Sequence, residues 1–254
     1  MGLKPKTALL SSEAALQRYE SSILPTRSNI AADPTATYVL TFDDPVLREL
    51  FLIHFCALGV GMTEPVENWI KRAGQRCEEL GLLELGQFLK AHAKHEAGHH
   101  LMMIEDTRAL VANWNARRTP YLDAEKILGL PVTPGVVMYQ KLHEETIAGD
   151  APYGQIAIEY EIERISVEFG PRLIQKCVGV LGPAILRSHS FIKEHMEIDV
   201  AHTRFNEEQL GKLLSARPEF LIPLVQAGEK ALMAYKAFVN DALHLAKVEA
   251  QSLR

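Results

Sequence analysis

Two segments of the chain hold residue types and spacings suited to metal chemistry. The first reads His92-Ala-Lys-His95-Glu96-Ala-Gly-His99-His100 and carries four of the ten histidines. The second reads His195-Met-Glu-Ile-Asp199-Val-Ala-His202. On a helix, positions i, i+4 and i+7 fall on one face, so His195, Asp199 and His202 point the same way. Two imidazoles and a carboxylate on one stripe suit a first-row transition metal held by nitrogen and oxygen. Glu96 and His99, at i and i+3, have the spacing used in carboxylate metal sites of helix bundles. The two segments together point to a metal-dependent helical enzyme.

A third segment, Glu159-Tyr-Glu161-Ile-Glu163 followed by Arg164 and Ser166, sets carboxylates among strongly apolar neighbours such as Ile156, Ile158, Ile162 and Ile165. Buried carboxylates are costly unless a cation or donor meets them. A metal held by Glu163, with Glu159 beside it at i, i+4, resolves that conflict, while Glu161 points elsewhere. The remaining histidines read as structural. His92 and His95 are expected at the surface or behind the ligands, His100 on another face, and His54 in the core. His143, His189 and His244 have no metal-like partners in sequence.

The same letters support a rival. His95-Glu96-Ala-Gly-His99 is a literal H-E-x-x-H, in which two histidines bind zinc and the glutamate is general base. A zinc metallopeptidase would take its third ligand from Glu159, Glu163 or Asp199. It leaves the second segment only partly used, and an all-helical chain offers no strand to align a peptide.

The elements that must position these residues are helices almost throughout. A helix capped by Ser11 or Ser12 is expected to stop at Pro25 and give way to a loop up to Asp43. Asp44-Pro45 starts a core helix that Gly59 to Gly61 should end. A helix from Thr63-Glu64-Pro65 runs towards Gly81. Leu82 to about Asn115 reads as one long ligand-bearing helix. Arg117 to Leu130 reads as loop with one short turn, Thr133-Pro134 caps the next helix, and Pro152 to Phe169 carries the glutamates. Gly170-Pro171 and Gly182-Pro183 punctuate the stretch after it. The second ligand helix spans about Ser188 to Leu210, and a long C-terminal helix reaches Ala250. The fold class is all-α: a single-domain helical bundle over 44–254, with residues 1–43 an N-terminal helix and loop of the same domain or a lid.

With 254 residues the chain can bury a substantial core. A net charge of −5 with interspersed signs gives no support to nucleic-acid binding. Met1 to Lys6 has no apolar leader pattern, Gly2 lacks a lipidation context, and no run approaches the ~18 apolar residues of a membrane span. Cys56, Cys77 and Cys177 form no C-x-x-C pair, which suits buried thiols in a reducing, cytoplasmic setting.

With all three ligand segments in view, the chain resembles the haem-oxygenase-like diiron oxidases, also labelled iron-containing redox enzymes, over roughly Leu82 to Leu214. The resemblance rests on His92 to Asp106 with Glu96-Ala-Gly98-His99, on Tyr160-Glu-Ile-Glu163 after Pro152, and on the full H-x-x-x-D-x-x-H of His195, Asp199 and His202. It implies a haem-oxygenase-like helical bundle and six ligands, Glu96, His99, Glu163, His195, Asp199 and His202, holding two irons. His92 and Glu159 are alternates. It further implies O2 as co-substrate, an external electron donor, and oxidation of a small molecule such as an amino acid by N-oxygenation, desaturation, C–C cleavage or oxidative decarboxylation. Homodimers are common for such an architecture. Arg164 is the first candidate to clamp a substrate carboxylate, with Lys94, Arg108 and Arg187 nearby in sequence. A fatty acid would need a tunnel, for which Leu101, Met102, Met103, Val136, Val137 and Met138 are available. A metal-free thiaminase-like enzyme on the same scaffold is the other alternative, and it has no need of the full ligand set.

Overall fold

The computed structural model describes residues 10–253. The readings at Met1 to Lys6 and at Gly2 lie outside the described residues. Among the described residues eleven α-helices occur in order: α1 (Ser12–Ala31), α2 (Pro34–Thr41), α3 (Pro45–Thr63), α4 (Val66–Glu79), α5 (Leu83–His95), α6 (His99–Asn115), α7 (Ala124–Leu128), α8 (Pro134–Ala148), α9 (Gln155–Leu181), α10 (Ser190–Ala216) and α11 (Leu221–Ser252). Short 3-10 segments precede α9, α10 and α11. No strand occurs among the described residues.

Packing puts α3 at the centre, against α6 and α11, while α9 lies along α10 and α11 lies along α8. The α3 sequence is apolar on nearly every side, and residues Leu50 to Ile53 are wholly buried. One 18-residue window between Pro45 and Glu79 is apolar enough by composition to cross a membrane, with mean hydropathy 1.5. That qualifies the sequence reading, but 78% of the window is buried inside the protein. A helix apolar all round belongs in a core as readily as in a bilayer.

Several expected boundaries move, each for an identifiable reason. Pro25 does not stop α1, which continues to Ala31. The carbonyl that loses its amide partner belongs to Ser21, which is exposed to water. Beyond the proline the helix is tied down by side chains: Thr26 Oγ1 donates to Glu229 at 2.7 Å, and Arg27 meets Glu161 at 2.6 Å. The expected loop to Asp43 contains α2, opened by Pro34 and capped by the Asp33 carboxylate, which accepts from Thr35 N at 2.9 Å. Arg48 closes its far end. Its buried guanidinium donates to the carbonyls of Val39 at 2.7 Å and Phe42 at 2.8 Å. α1 packs on α10 and α11, and α2 on α9 and α11.

Gly59 and Gly61 lie inside α3 rather than ending it. A Cβ on Gly59 would sit 2.2 Å from Met103 Sδ, so this glycine marks where α6 crosses α3 closely. Likewise α9 runs through Pro171 to Leu181, where Gly182 (φ +82°) ends it. The start of α8 is capped by Asp241 of α11, which accepts from Gly135 N at 2.7 Å, and not by the Thr133 side chain.

Candidate metal centre

The expected single helix from Leu82 to Asn115 is two helices. α5 ends at His95, residues Glu96 to Gly98 form a turn, and α6 starts at His99. Gly98 has φ +84°, in the left-handed region that a side chain disfavours, and this reverses the local winding. Glu96 and His99 are therefore not neighbours on a regular helix. They are brought together by the turn, with His99 Nδ1 2.9 Å from Glu96 Oε2. The break also removes the geometry that H-E-x-x-H requires: His95 is exposed, and it joins neither cluster of potential metal ligands.

α10 is fixed against α6 by Asp106. This buried carboxylate accepts from Ser190 N and Phe191 N at 2.9 Å each, and from Ser190 Oγ at 2.9 Å. An aspartate from one helix thus caps the other, supplying charge and acceptors to unpaired N–H groups of the first turn. From that anchored start, His195, Asp199 and His202 project from one buried stripe, as their spacing predicts.

Two groups of potential ligand atoms result. His92, Glu96, Glu163 and His202 form the first, and Glu96, His99 and His195 the second, with the ligand atoms of each group within 4.8 Å of one another. Glu96 belongs to both through its two oxygens. Oε1 lies 3.4 Å from His92 Nε2 and 3.5 Å from His202 Nδ1, while Oε2 faces His99. Glu163 Oε1 stands 3.1 Å from His92 Nε2 and 3.8 Å from His202 Nδ1.

The donor set fits a cation on an observation independent of the spacing. His92 Nε2, Glu163 Oε1 and His202 Nδ1 are all buried without a hydrogen-bond partner among the described residues. His92 Nε2 and Glu163 Oε1 lie within ion-pair distance of each other, at 3.1 Å. Three buried ligand atoms without a hydrogen bond, within 4.8 Å of one another and of a Glu96 oxygen, suit a cation between them. Surrounding groups orient the ligands. Asn206 Nδ2 donates to Glu163 Oε2 at 2.5 Å, turning Oε1 inward. His195 Nδ1 faces the Phe191 carbonyl at 2.8 Å, which leaves Nε2 directed at the cluster. Ser166 donates to Asp199 Oδ2, and Asp199 Oδ1 lies 3.6 Å from His202 Nδ1.

The titrating groups of the two clusters act strongly on one another. Burial opposes charge on His92, but Glu163 and Glu96 outweigh it and push the imidazole up to about 11. Burial pushes Glu163 up to about 7 and Glu159 up to about 8. Too many carboxylates share a dry space for all to ionise without added positive charge.

Of the expected ligands, Glu96, His99, Glu163, His195 and His202 join the clusters directly. Asp199 stands beside them, its Oδ1 turned to His202. His92, expected behind the ligands or at the surface, is buried and aimed inward. Its position four residues before Glu96 was the signal, since i and i+4 share a face. Glu159 belongs to neither cluster: its Oε1 accepts from Gln155 at 2.5 Å, and Gln155 in turn meets the buried His143. Asn206 went unnoticed in the sequence, although it continues the His195, Asp199, His202 stripe by one more turn.

A cavity of about 100 Å³ adjoins the cluster. Beside Glu96, Glu163, His195 and Asp199 it is walled by apolar side chains including Phe55, Met62, Met103, Phe191 and Phe238, with Glu159 and the Tyr139 and Tyr235 phenols as further polar groups. No lysine or arginine among the described residues lines it. Of the suggested tunnel residues only Met103 does; Leu101, Val137 and Met138 are exposed. Arg164 faces away, bonded to Tyr160 at 3.2 Å and to Glu168. Arg108 pairs with Glu105 and Glu125 at the surface. The three cysteines are buried and pushed up by burial, Cys77 to about 12 and Cys177 to about 11, and none lines the cavity.

Comparison with known proteins gives the fold its context. No family model matches the sequence, and no curated protein matches it. A solved structure from Shewanella denitrificans, described as a domain of unknown function with a haem-oxygenase-like fold, superposes with a TM-score of 0.73 at 18% identity, covering 89% of this chain and 91% of that one. A TenA homolog from Pseudomonas syringae pv. tomato superposes with a TM-score of 0.65 at 14% identity, covering 96% of this chain and all of that one. The chain has a haem-oxygenase-like, all-α fold, and within it a His/Glu cluster able to bind metal.

Proposed function

We propose that the protein is a non-haem dimetal oxidase or oxygenase that uses two irons and O2 to oxidise a small substrate. The observation that carries this reading is the pair of ligand clusters sharing Glu96, with His92, Glu163 and His202 on one side and His99 and His195 on the other. A carboxylate between two nitrogen- and oxygen-rich pockets, drawn from three helix regions of a bundle, is the arrangement used for paired irons. Iron bound there would supply the redox chemistry with O2, drawing electrons from an external donor.

The chain's own residues have separable tasks. Glu96 holds the two positions together, and Asn206 and the Phe191 carbonyl fix the ligands Glu163 and His195. Asp199 completes the first position, with Ser166 holding its second oxygen. The apolar cavity beside the cluster limits water and accepts the reacting part of the substrate. No cationic side chain among the described residues lines that cavity, so an anionic substrate group there would have to be met by the metals themselves. Arg164, held by Tyr160 and Glu168 away from the cavity, does not serve as the expected carboxylate clamp. The zinc peptidase reading loses His95.

Anaerobic loading with Fe(II), elemental analysis and stopped-flow absorption on mixing with O2 test the reading. About two irons per chain and a transient visible band are the expected result. One tightly held zinc with no response to O2 would replace it with hydrolysis.

A further inference from the structure

A second cavity, of about 210 Å³, lies across α9 from the metal cluster and is enclosed by α1, α2, α9 and α11. The helix acts as a partition because of its own period. Glu159, Ile162, Glu163 and Ser166 line the metal cavity, whereas Glu161, Arg164, Ile165, Glu168 and Arg172 line the outer one. Tyr235 of α11 lines both. Its hydroxyl has no hydrogen-bond partner among the described residues, and burial pushes it well above the usual phenol range. The outer cavity's walls are chiefly Ile30, Leu40, Ile165, Phe169, Leu232 and Val239.

Among the described residues, the charges around this apolar space are matched with one exception. Arg27 is held by Glu161 at 2.6 Å and by Glu20 at 2.5 Å, and Lys236 by Asp33 at 2.5 Å. Arg164 is held by Glu168 and by Glu20, the latter at 3.6 Å. Arg172, one turn beyond Glu168 on the same face, lines the cavity with no carboxylate partner among the described residues. A guanidinium left over at the rim of an apolar pocket suits a single carboxylate, which it can grip through two parallel N–H donors. One unpaired cation matches a monoanion; a dianion would need a second.

We propose that the outer cavity binds an amphipathic monocarboxylate, an alkanoate or arylalkanoate, with its carboxylate on Arg172 and its tail against Ile165, Phe169, Leu232 and Val239. The tail then ends against Tyr235, the side chain that also walls the metal cavity. The site is distinct from the metal cluster and needs no metal to form.

Isothermal titration of the full-length protein with a series from butanoate to octanoate tests this, both as isolated and after iron loading. Affinity should tighten by about threefold to fourfold per added methylene until the cavity is full. Octanol should bind at least about tenfold more weakly than octanoate, and Arg172→Ala should weaken octanoate by a similar factor. Arg172 is exposed, so that variant keeps the fold. A Tyr235→Trp variant should report octanoate binding as a fluorescence change that Arg172→Ala removes. Absence of saturable binding, or equal affinity in wild type and Arg172→Ala, overturns the proposal. Octanoate binding that appears only with iron and ignores Arg172 also overturns it, and places the carboxylate on the metals instead. Failure of the iron-loading experiment leaves the metal-free titration unaffected, so the two readings fall separately.

Discussion

His99 Nδ1 faces His195 Nε2 across 3.1 Å and Glu96 Oε2 across 2.9 Å, and the three residues offer ligand atoms within 4.8 Å of one another. His195 gives its Nδ1 proton to the Phe191 carbonyl, so its Nε2 carries a lone pair. His99 Nδ1 has one proton at most to divide between that lone pair and the glutamate. A cation between the three satisfies all of them, which ties a small geometric fact to the metal assignment. The two clusters then predict different metal counts. His195→Ala should leave about one of two irons bound, whereas Glu96→Ala should lose both, because only Glu96 serves both clusters. Elemental analysis of the loaded variants, with circular dichroism to show retained helix, checks this; equal loss in both variants would mean a single site.

Glu163 and Glu159 lie one turn apart on α9 and should behave oppositely. Glu163 Oε1 is a buried ligand atom of the first cluster, so Glu163→Ala should abolish iron at that position. Glu159 is held by Gln155 outside both clusters, so Glu159→Gln should load normally and change stability by under about 1 kcal/mol. Metal titration and thermal melts of the two variants decide between them.

Much of this was legible in the sequence. The His195, Asp199, His202 stripe was readable because helical period alone puts those positions on a buried face, and Glu163 because carboxylates among isoleucines need a partner. What escaped was set by tertiary contacts. Pro25 and Pro171 look like stops, yet α1 and α9 are carried through them by packing against their neighbours. α2 looks like loop because its stabilising Arg48 is donated from the next helix. The outward direction of Arg164 depends on Tyr160 and Glu168 fixing it to the far face of α9. Gly98 was the available clue to the break between α5 and α6, since a glycine amid ligands has more backbone freedom than a helix interior needs.

That glycine gives a direct test. With φ +84°, any L side chain at 98 is strained, by about 1–2 kcal/mol for alanine. Gly98→Ala should lower the melting temperature and weaken iron binding together, because relief of the strain moves Glu96 relative to His99. Gly98→Asn should be milder on both, since asparagine tolerates the left-handed region better. Equal effects of the two substitutions would dissociate the ligand geometry from this turn.

Asp106 links α6 to the first turn of α10 through three hydrogen bonds of 2.9 Å. Asp106→Ala should cost about 2–3 kcal/mol, as buried donors lose a charged acceptor. His195 lies little more than one turn from that cap, so the iron it ligates should bind less tightly. Urea unfolding of metal-free protein isolates the structural cost, and iron titration in native buffer isolates the effect on the site. A variant destabilised without any change in iron affinity would limit Asp106 to folding.

His143 carries a prediction in pH. It is wholly buried, stacked on Trp69 at 4.2 Å, and its Nδ1 lies 2.9 Å from Gln155 Nε2. Burial pushes the imidazole down to about 3, well below the ~6.5 of an unfolded histidine. Between those values the unfolded chain takes up a proton that the folded one refuses. The contribution to stability is therefore full above about pH 6.5 and is lost as pH falls towards 3. At pH 5 the loss from this residue is about 2 kcal/mol, at roughly 1.4 kcal/mol per unit. His143→Phe keeps the aromatic stack on Trp69 and removes the titration. It should be less stable than wild type at pH 7, where the Gln155 contact is lost, and should close that gap as pH falls to 5. Urea denaturation of both metal-free proteins at the two pH values measures the gap, and an unchanged difference would mean that His143 is protonated in the folded protein after all.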